Sequence, residues 1–246
     1  MRDAIITSGL HKRFGDLIAV ERLDLSIHSG EVFGLLGANG SGKTTTIRML
    51  TGLMPPTSGT AEVAGIDVVS NPEAVRRRLG YMSQRFGLYD DLTVEENLRF
   101  YAGLYGLIGR EGATRVDEML TGLDFLARRR QFAGTLSGGW KQRLSLACAT
   151  AHKPDVLFLD EPTAGVDPAA RRQFWLLIHQ LAAGGTTIVV TTHYMDEAER
   201  CDRIAMLWRG RLVALGAPRE ITTQFGTATL EDAFIALQER DAMATA

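Results

Sequence analysis

The sequence predicts an α/β fold, and three observations support that prediction. Residues 31–36 are a short apolar run bounded by glycines, typical of a buried strand, and they lead through a glycine-rich loop into a helical pattern. Residues 156–161 and 186–191 are further apolar runs, the first with the form of a buried parallel strand. Helical patterns from residue 93 and over 113–121 have no predicted strand between them, which indicates a helical insertion between two parts of the α/β core.

The N-terminal third predicts strands on either side of an aromatic residue. Residues 4–6 and 18–27 are predicted strands, and in the second one leucine and isoleucine alternate with polar residues, as in a half-buried antiparallel strand. Phe14, between them, is by itself predicted to be a core aromatic. Residues 60–63 predict a short strand, and the Asn-Pro pair that opens residues 71–78 predicts a helix whose arginines form a solvated end.

The middle of the chain predicts the helical insertion and its borders. Residues 79–84 are a predicted strand that runs into a loop at 85–87. Thr93 and Glu96 have the spacing of a capping box, which predicts the start of a helix there. The arginine triplet at 128–130 is interpreted as a solvated terminus rather than a nucleic-acid patch.

Ser137, Gly138 and Gly139 precede an amphipathic helix. A hydroxyl and two glycines there predict either a plain N-cap or an anion site, because the same free N–H groups serve both, and the local sequence favours the cap. The residues predicted on one face of this helix are Trp140, Leu144, Ala147, Cys148 and Ala151.

The C-terminal part predicts a helix, a hairpin and a last helix. Residues 169–181 form the predicted helix, and the runs 204–207 and 211–214 predict a hairpin. Residues 230–240 predict the last helix, and residues 242–246 a frayed end.

Composition excludes several classes. With 27 basic and 29 acidic residues in 246, the net charge of −2 gives no global attraction to nucleic acid or anionic lipid. No apolar run approaches the roughly 20 residues of a membrane helix, and the N-terminus lacks the apolar stretch of a signal peptide, so the chain is expected not to span a membrane. Cys148 and Cys201 have no metal-ligand spacing and are predicted to be reduced, structural thiols in the cytosol.

The loop at residues 37–45 predicts a phosphate site. Gly37, Gly40 and Gly42 allow the backbone to come close to a ligand, and the following helix start adds its partial positive charge. Lys43 supplies a cation for the outer phosphates and Thr44 a hydroxyl for Mg²⁺. A turn that only caps a helix is the alternative, and the lysine–threonine pair at this spacing argues against it.

Two carboxylates and a histidine follow the predicted strands. Asp160 can hold Mg²⁺ through water, whereas Glu161 can orient or deprotonate an attacking water. A polar turn before Pro162 is the alternative. His193, just beyond the strand at 186–191, is a candidate for contacting a γ-phosphate.

Over essentially its whole length the sequence resembles the ATP-binding subunit of an ABC transporter. Six matches in order carry the resemblance: GANGSGKTT at 37–45, Gln84, LSGGW at 136–140, VLFLDE at 156–161, AGVDP at 164–168 and His193. The stretches MSQRFGLYDDLTVEENL, TTHYMDEAERCD and TLEDAFIAL look most like the ABC-2 branch, which includes multidrug exporters.

The resemblance implies a single ABC ATPase domain with a P-loop NTPase (RecA-like) core, an N-terminal antiparallel β subdomain and an inserted α-helical subdomain. Residues 1–84 and 153–220 would form the nucleotide-binding core with the β subdomain. Residues 85–152 would form the helical subdomain with the signature motif, and 221–246 a C-terminal helix and tail.

The resemblance also assigns roles to individual residues. Phe14 would stack on adenine in place of a more usual tyrosine, and Gln84 would reach Mg²⁺ and the attacking water beside the surface that meets the membrane subunit. Trp140 stands where the family usually has glutamine. The implied catalytic residues are Glu161, His193, Gln84 and Lys43, and the implied Mg²⁺ ligands are Thr44, Gln84 and Asp160. The implied ATP contacts are Phe14, Gly37, Ala38, Asn39, Gly40, Ser41, Gly42, Lys43, Thr44 and Thr45, with Ser137, Gly138 and Gly139 reaching the γ-phosphate held by a partner subunit.

As the resemblance implies, the chain would hydrolyse ATP with Mg²⁺, dimerise with itself or a paralogue around two nucleotides, and drive export of a drug-like or lipid-like substrate through an ABC-2 membrane subunit. It would lie on the cytoplasmic face of the membrane, with no nucleic-acid partner. An ABC ATPase acting on nucleic acid or ribosomes is the alternative, although such proteins typically carry a coiled-coil insertion or tandem cassettes. A phosphotransferase is a third, in which LSGGW and AGVDP would have no role.

Overall fold

The computed structural model describes residues 2–84 and 87–245, with side chains up to residue 239. Within those ranges ten strands form one continuous sheet in the order β5-β4-β1-β2-β10-β9-β3-β8-β7-β6. The strands are β1 (Asp3–Phe14), β2 (Leu17–His28), β3 (Val32–Leu36), β4 (Ser58–Val63), β5 (Ile66–Asp67), β6 (Leu79–Met82), β7 (Val156–Asp160), β8 (Thr187–Thr192), β9 (Arg203–Trp208) and β10 (Arg211–Gly216). The sheet thus joins an antiparallel N-terminal part to a parallel core.

The antiparallel part is built from β1, β2, β4 and β5. Strand β1 pairs with β2 and with β4, both antiparallel, and β4 pairs with β5. The predicted alternation in the second strand is confirmed, because Leu23, Leu25 and Ile27 are buried. Both long strands are longer than predicted, and β1 runs through to Phe14 at its end.

The parallel core is β9-β3-β8-β7-β6. Strand β3 pairs with both β8 and β9 in parallel, and β7 lies in parallel between β8 and β6. Every residue of β3, β7 and β8 is buried, as expected for parallel strands covered on both faces. The predicted hairpin is confirmed, since β9 and β10 pair antiparallel.

Helices cover the two faces of the core. They are α1 (Lys43–Leu50), α2 (Pro72–Arg78), α3 (Val94–Leu104), α4 (Gly109–Gly122), α5 (Gly138–Ala149), α6 (Pro168–Ala183), α7 (Met195–Ala198), α8 (Pro218–Phe225) and α9 (Leu230–Thr245). Asn71 caps α2 by accepting from the Ala74 N–H, and Asp167 caps α6 by accepting from the N–H groups of Ala169 and Ala170.

The predicted helical insertion is present between β6 and β7. Helices α3, α4 and α5 enclose a hydrophobic cluster of their own that includes Leu98, Leu120, Phe125 and Leu144. The capping box of Thr93 and Glu96 is confirmed at the start of α3. The insertion is therefore a packed helical unit rather than a long loop.

Some expectations differ from the structure. The last helix continues to Thr245, so the prediction that the backbone frays from residue 242 is wrong. The predicted loop at 85–87 falls largely on residues 85 and 86, which lie outside the described residues. Helices α7 and α8 and the two-residue strand β5 had no sequence prediction, because each is too short to show a clear period.

The two cysteines are buried and free in the described part of the chain. Burial raises the pKa of both thiols well above the ordinary range, which agrees with the structural role predicted for them. Over 2–84 and 87–245, no helix has both the length and the apolar character needed to cross a membrane.

Candidate functional site

The glycine-rich loop lies between the end of β3 and the start of α1. Gly42 occupies the N-cap of α1 with a φ of 105°, which favours glycine, and a Cβ there would lie 2.7 Å from the Ala19 carbonyl oxygen. A Cβ on Gly37 would collide with the Ser41 hydroxyl. Because the first N–H groups of α1 have no partner within the helix, the loop presents donors to an anion.

Lys43 is buried beneath this loop. Its Nζ donates to the Gly37 carbonyl at 2.6 Å and to the Ala38 carbonyl at 3.1 Å. Nζ also lies 3.9 Å from Oε1 of Glu161. Burial lowers the pKa of Lys43, while the charges of Glu161 and Asp160 act in the opposite direction. The ammonium group is thus held between the loop and the acidic ends of neighbouring strands.

A cavity of about 260 Å³ opens beside the loop. Phe14 lies at its edge and is 45% exposed, so the prediction that it is a core aromatic is wrong. Strand β1 ends there, which leaves the ring beside solvent with the Lys12 ammonium 5.2 Å from its centroid. The cavity is lined by Phe14, Leu17, Ile18, Ala19, Asn39, Gly40, Gly42, Lys43, Thr44, Thr45 and Glu161. An aromatic face and a phosphate loop therefore share one cavity.

Asp160, at the end of β7, is held by two hydroxyl groups. The Thr191 Oγ1 donates to its Oδ1 at 2.6 Å, and the Tyr81 hydroxyl donates to its Oδ2 at 3.3 Å. Burial, together with the adjacent carboxylate, raises the pKa of Tyr81 to about 12, so the phenol stays protonated and acts as a donor at neutral pH. The carboxylate of Asp160 is fixed in orientation.

Glu161 follows in a left-handed conformation, with φ at 48°. Gln84 Nε2 donates to its Oε2 at 3.2 Å. His193 Nδ1 lies 3.2 Å from its Oε1, at an angle outside hydrogen-bond geometry. The structure thus brings Gln84, Glu161, His193 and Lys43 together beyond the carboxyl ends of the parallel strands.

Ser137 occupies the N-cap position of α5, but among the described residues its side chain makes no cap hydrogen bond. The local prediction of a plain N-cap is therefore wrong. Ser137 and Gly138 are exposed, and neither they nor Gly139 are among the residues that line the cavity. The first N–H groups of α5 have no partner within the helix, so they and the Ser137 hydroxyl are potential donors to an anion.

Trp140 packs against the hydrophobic cluster of the helical insertion. Its ring meets Phe125 edge to face at 5.1 Å, and the guanidinium carbons of Arg128 and Arg143 lie 4.1 and 4.7 Å from its centroid. The indole thus packs against apolar side chains at the position where the resemblance implies a polar glutamine. Two residues on, the buried Gln142 donates to the Pro162 carbonyl at 2.5 Å and ties α5 to the segment after Glu161.

Thr44 and Asp160 offer oxygen donors that fit a Mg²⁺ ion whose remaining ligands come from a nucleotide and water. Among the described residues, no group of three or more His, Cys, Asp and Glu side chains could hold a metal ion. Magnesium commonly binds through one or two protein oxygens with phosphate and water completing its shell. Thr44 offers an exposed hydroxyl in the cavity, and Asp160 retains free lone pairs beside the two bonds that orient it. These donors suit a hard cation that is brought in with a triphosphate.

Two residues of this site were missed from sequence. Thr191 lies opposite Asp160 in the parallel register of β7 and β8, and Tyr81 lies on the neighbouring strand β6. A threonine at the end of an apolar run was the only signal for the first. Tyr81 gave none, because its contact depends on which strands are neighbours.

A family model described as "ABC transporter" matches residues 20–164, more than half of the chain. A second model, described as "AAA domain, putative AbiEii toxin, Type IV TA system", matches only residues 141–195. Both ranges include parts of the site just described.

Curated relatives share much of the sequence. The chain is 48% identical over 233 residues to the probable multidrug ABC transporter ATP-binding protein YbhF of Escherichia coli (strain K12), which covers 93% of this chain and 40% of the relative. It is 42% identical over 228 residues to the daunorubicin/doxorubicin resistance ATP-binding protein DrrA of Streptomyces peucetius, covering 92% of this chain and 69% of that one. The chain therefore spans well under half the length of the first relative.

A solved structure described as the ATP-binding subunit of an ABC transporter is also similar. It superposes with a TM-score of 0.84 at 32% identity, covering 96% of this chain and 99% of the other. This similarity agrees with a P-loop NTPase fold.

Proposed function

The chain belongs to the ABC transporter family of ATP-binding proteins, and we propose that it binds and hydrolyses ATP to drive export through a separate membrane subunit. The observation that carries this proposal is the convergence of Lys43, Glu161, Gln84 and His193 beside the phosphate loop. Each of these contacts joins residues that are far apart in the chain. A structural turn would not require all four polar groups to meet.

ATP would lie in the cavity beside α1. Its adenine would stack on the exposed face of Phe14, and its phosphates would meet the N–H groups of the loop. In this structure the Lys43 ammonium donates to loop carbonyls, and it would exchange those oxygens for the negatively charged oxygens of phosphate. The same ammonium lies 3.9 Å from Oε1 of Glu161. The group that binds the phosphates would therefore lie beside the residue that takes part in hydrolysis.

Hydrolysis would use the groups around Glu161. The carboxylate would accept a proton from the attacking water, while Gln84 would hold that water from the other side. His193 would donate to the γ-phosphoryl oxygens, and Lys43 would offset their developing charge. Thr44, Asp160 and Gln84 would hold Mg²⁺, which supplies charge neutralisation for the phosphates when bound.

The uncapped start of α5 supports a head-to-tail dimer of two copies, or of this chain with a paralogue. Ser137, Gly138 and Gly139 lie outside the cavity's lining, and the Ser137 hydroxyl has no cap bond to make among the described residues. These donors are free to bind the γ-phosphate held by a partner. The terminal phosphate would then link two subunits, and hydrolysis would weaken the link.

The helical insertion supports a membrane partner. Residues 85–152 would form the helical subdomain. The nucleotide-binding core would consist of residues 1–84 and 153–220, and residues 221–246 would form a C-terminal helix and tail. Around α3, large apolar side chains are exposed: Tyr89, Phe100, Leu104, Tyr105 and Ile108. An apolar group of this kind suits a protein interface. We place the chain at the cytoplasmic face of the membrane, bound there through an ABC-2 subunit.

The names of the relatives favour a substrate class. One is called a probable multidrug transporter protein and another a daunorubicin/doxorubicin resistance protein. We propose a drug-like or lipid-like substrate, which would be recognised by the membrane subunit rather than by this chain.

The substitution Glu161→Gln tests the proposal. It keeps the size of the side chain and removes the proton acceptor, so ATP turnover should fall about 100-fold or more while ATP binding persists. Sedimentation with ATP and Mg²⁺ should then show accumulated dimer. Glu199→Gln, at an exposed carboxylate outside the cavity, is the matched control. Near-normal turnover of Glu161→Gln would remove Glu161 from this role, and a monomer at saturating ATP would refute the dimer.

A further inference from the structure

The Thr191 hydroxyl lies between the two acidic residues of the site. Its oxygen donates to Oδ1 of Asp160 at 2.6 Å and accepts from the backbone N–H of Glu161 at 3.0 Å. The same N–H is shared with the Thr191 carbonyl oxygen at 3.1 Å. One side chain therefore contacts the carboxylate of the first acidic residue and the backbone of the second.

The position of Thr191 follows from the sheet register. Strands β7 and β8 run in parallel, with Asp160 directly paired to Thr191, so the two side chains project from the same face. Thr191 has no exposed surface. The buried strand β8 also holds Val189 and Val190, so it accommodates β-branched apolar side chains of this size.

A buried hydroxyl is unfavourable unless it is hydrogen-bonded. Valine has almost the same shape as threonine and would fill this position without that cost. The two hydrogen bonds of the Thr191 hydroxyl therefore explain why threonine rather than valine occupies this position. Both bonds are made to residues of the site.

Each of the two hydrogen bonds restricts the conformation of one acidic residue. Asp160 would otherwise rotate about its terminal torsion, and the second bond from the Tyr81 hydroxyl to Oδ2, at 3.3 Å, fixes the same carboxylate plane from the other side. Glu161 has a φ of 48°, a conformation that non-glycine residues hold only when surrounding contacts impose it. The bonds from the Glu161 N–H to Thr191 are such contacts.

We propose that Thr191 is a positioning residue that orients Asp160 toward Mg²⁺ and holds the backbone of Glu161 in place for catalysis. This inference rests on the proposed ATPase function. It assigns Thr191 no direct contact with the nucleotide. Loss of a residue that orients a metal ligand typically lowers metal affinity or activity 10- to 100-fold.

The test compares substitutions at two positions on one strand. Thr191→Val removes the hydroxyl and keeps the shape, and Thr191→Ser restores the hydroxyl. Thr187→Val is the matched control, because Thr187 is also buried on β8 and its hydroxyl accepts from the Gly30 N–H at 3.0 Å, at the end of the strand away from the site. If Thr191→Val does not fold, Thr191→Ala and Thr191→Ser form a second pair that differs only in the hydroxyl.

Two readouts separate positioning from stability. The first is the affinity of the ATP-bound protein for Mn²⁺, measured by electron paramagnetic resonance in the Glu161→Gln background, where hydrolysis does not intervene. The second is the Mg²⁺ concentration for half-maximal ATP turnover with Glu161 present. We expect Thr191→Val to weaken Mn²⁺ binding and to raise the Mg²⁺ requirement by about tenfold, with kcat reduced about 10- to 100-fold. Thr191→Ser should remain within about threefold of the parent.

The outcomes are distinguishable. If Thr191→Val matches Thr187→Val in Mn²⁺ affinity and Mg²⁺ requirement while the parent protein hydrolyses ATP, Thr191 is only structural and this inference is overturned. A parent protein with no Mg²⁺-dependent ATP hydrolysis would instead refute the proposed function. A weaker Mn²⁺ affinity confined to the variants that lack the Thr191 hydroxyl supports the inference.

Discussion

Replacement of Phe14 by alanine should weaken ATP binding without unfolding the protein. The ring is 45% exposed at the end of β1, so its truncation removes about half of the surface that a phenylalanine can bury. At about 25 cal/mol per Å² this should lower the free energy of unfolding by about 2 kcal/mol, less than the roughly 5–15 kcal/mol that typically stabilises a domain. A base stacked on an aromatic ring contributes about 1–3 kcal/mol. At 1.4 kcal/mol per tenfold change, the dissociation constant for ATP should rise about 5- to 150-fold.

A titration with a fluorescent ATP analogue, or calorimetry in the Glu161→Gln background, would measure this change. Phe14→Tyr keeps the aromatic face and should bind like the parent. Phe100→Ala is the matched control, because Phe100 is 39% exposed on α3 and lies outside the cavity's lining. Unchanged ATP affinity for a folded Phe14→Ala protein would refute adenine stacking on this ring.

Two further substitutions test the helical insertion. Ser137→Ala should change the free energy of unfolding by less than about 0.5 kcal/mol, where loss of a true N-cap costs about 1 kcal/mol, yet in the Glu161→Gln background it should reduce the ATP-dependent dimer seen by sedimentation. Unchanged dimer would contradict the trans contact. Glu95→Gln should destabilise the protein by about 1–2 kcal/mol at pH 7, since hydrogen bonding from Arg129 lowers the pKa of Glu95 to about 2 and the pair is partly exposed. This stabilisation is complete above the ordinary pKa of 4.5 and is lost as pH falls toward 2, so urea unfolding should show the two proteins converge there; a pH-independent difference would contradict the assignment.

The sequence was most informative where a motif combines local geometry with chemistry. The glycines of the phosphate loop, the capping box of Thr93 and Glu96, and the apolar run ending at Asp160 each depend on neighbours in the chain. Their elements were therefore predicted with small errors at the ends. Strand β1, by contrast, was predicted over only three residues because polar residues and a glycine interrupt the apolar run after Ile6.

Contacts between distant segments were harder to predict. The local cap interpretation of Ser137, which the family resemblance replaces with a γ-phosphate contact, failed because residue type permits a cap but does not set the side-chain rotamer. Residue type alone assigned Phe14 to the core, whereas the family resemblance assigned it to adenine stacking. The end of β1 places the ring at the mouth of a cavity. Tyr81 and Thr191 reach Asp160 only because β6, β7 and β8 are adjacent in the sheet, and strand order is not written in any local pattern.

The burial of Cys148 and Cys201 has a practical consequence for measuring motion in this protein. Both thiols are buried, and their raised pKa leaves little thiolate to react with a maleimide at neutral pH. A cysteine introduced at an exposed site such as Gln173 would therefore carry most of a fluorescent or spin label, with the native residues left in place. Distances between labelled subunits could then be followed through a nucleotide cycle in a protein whose core is unaltered.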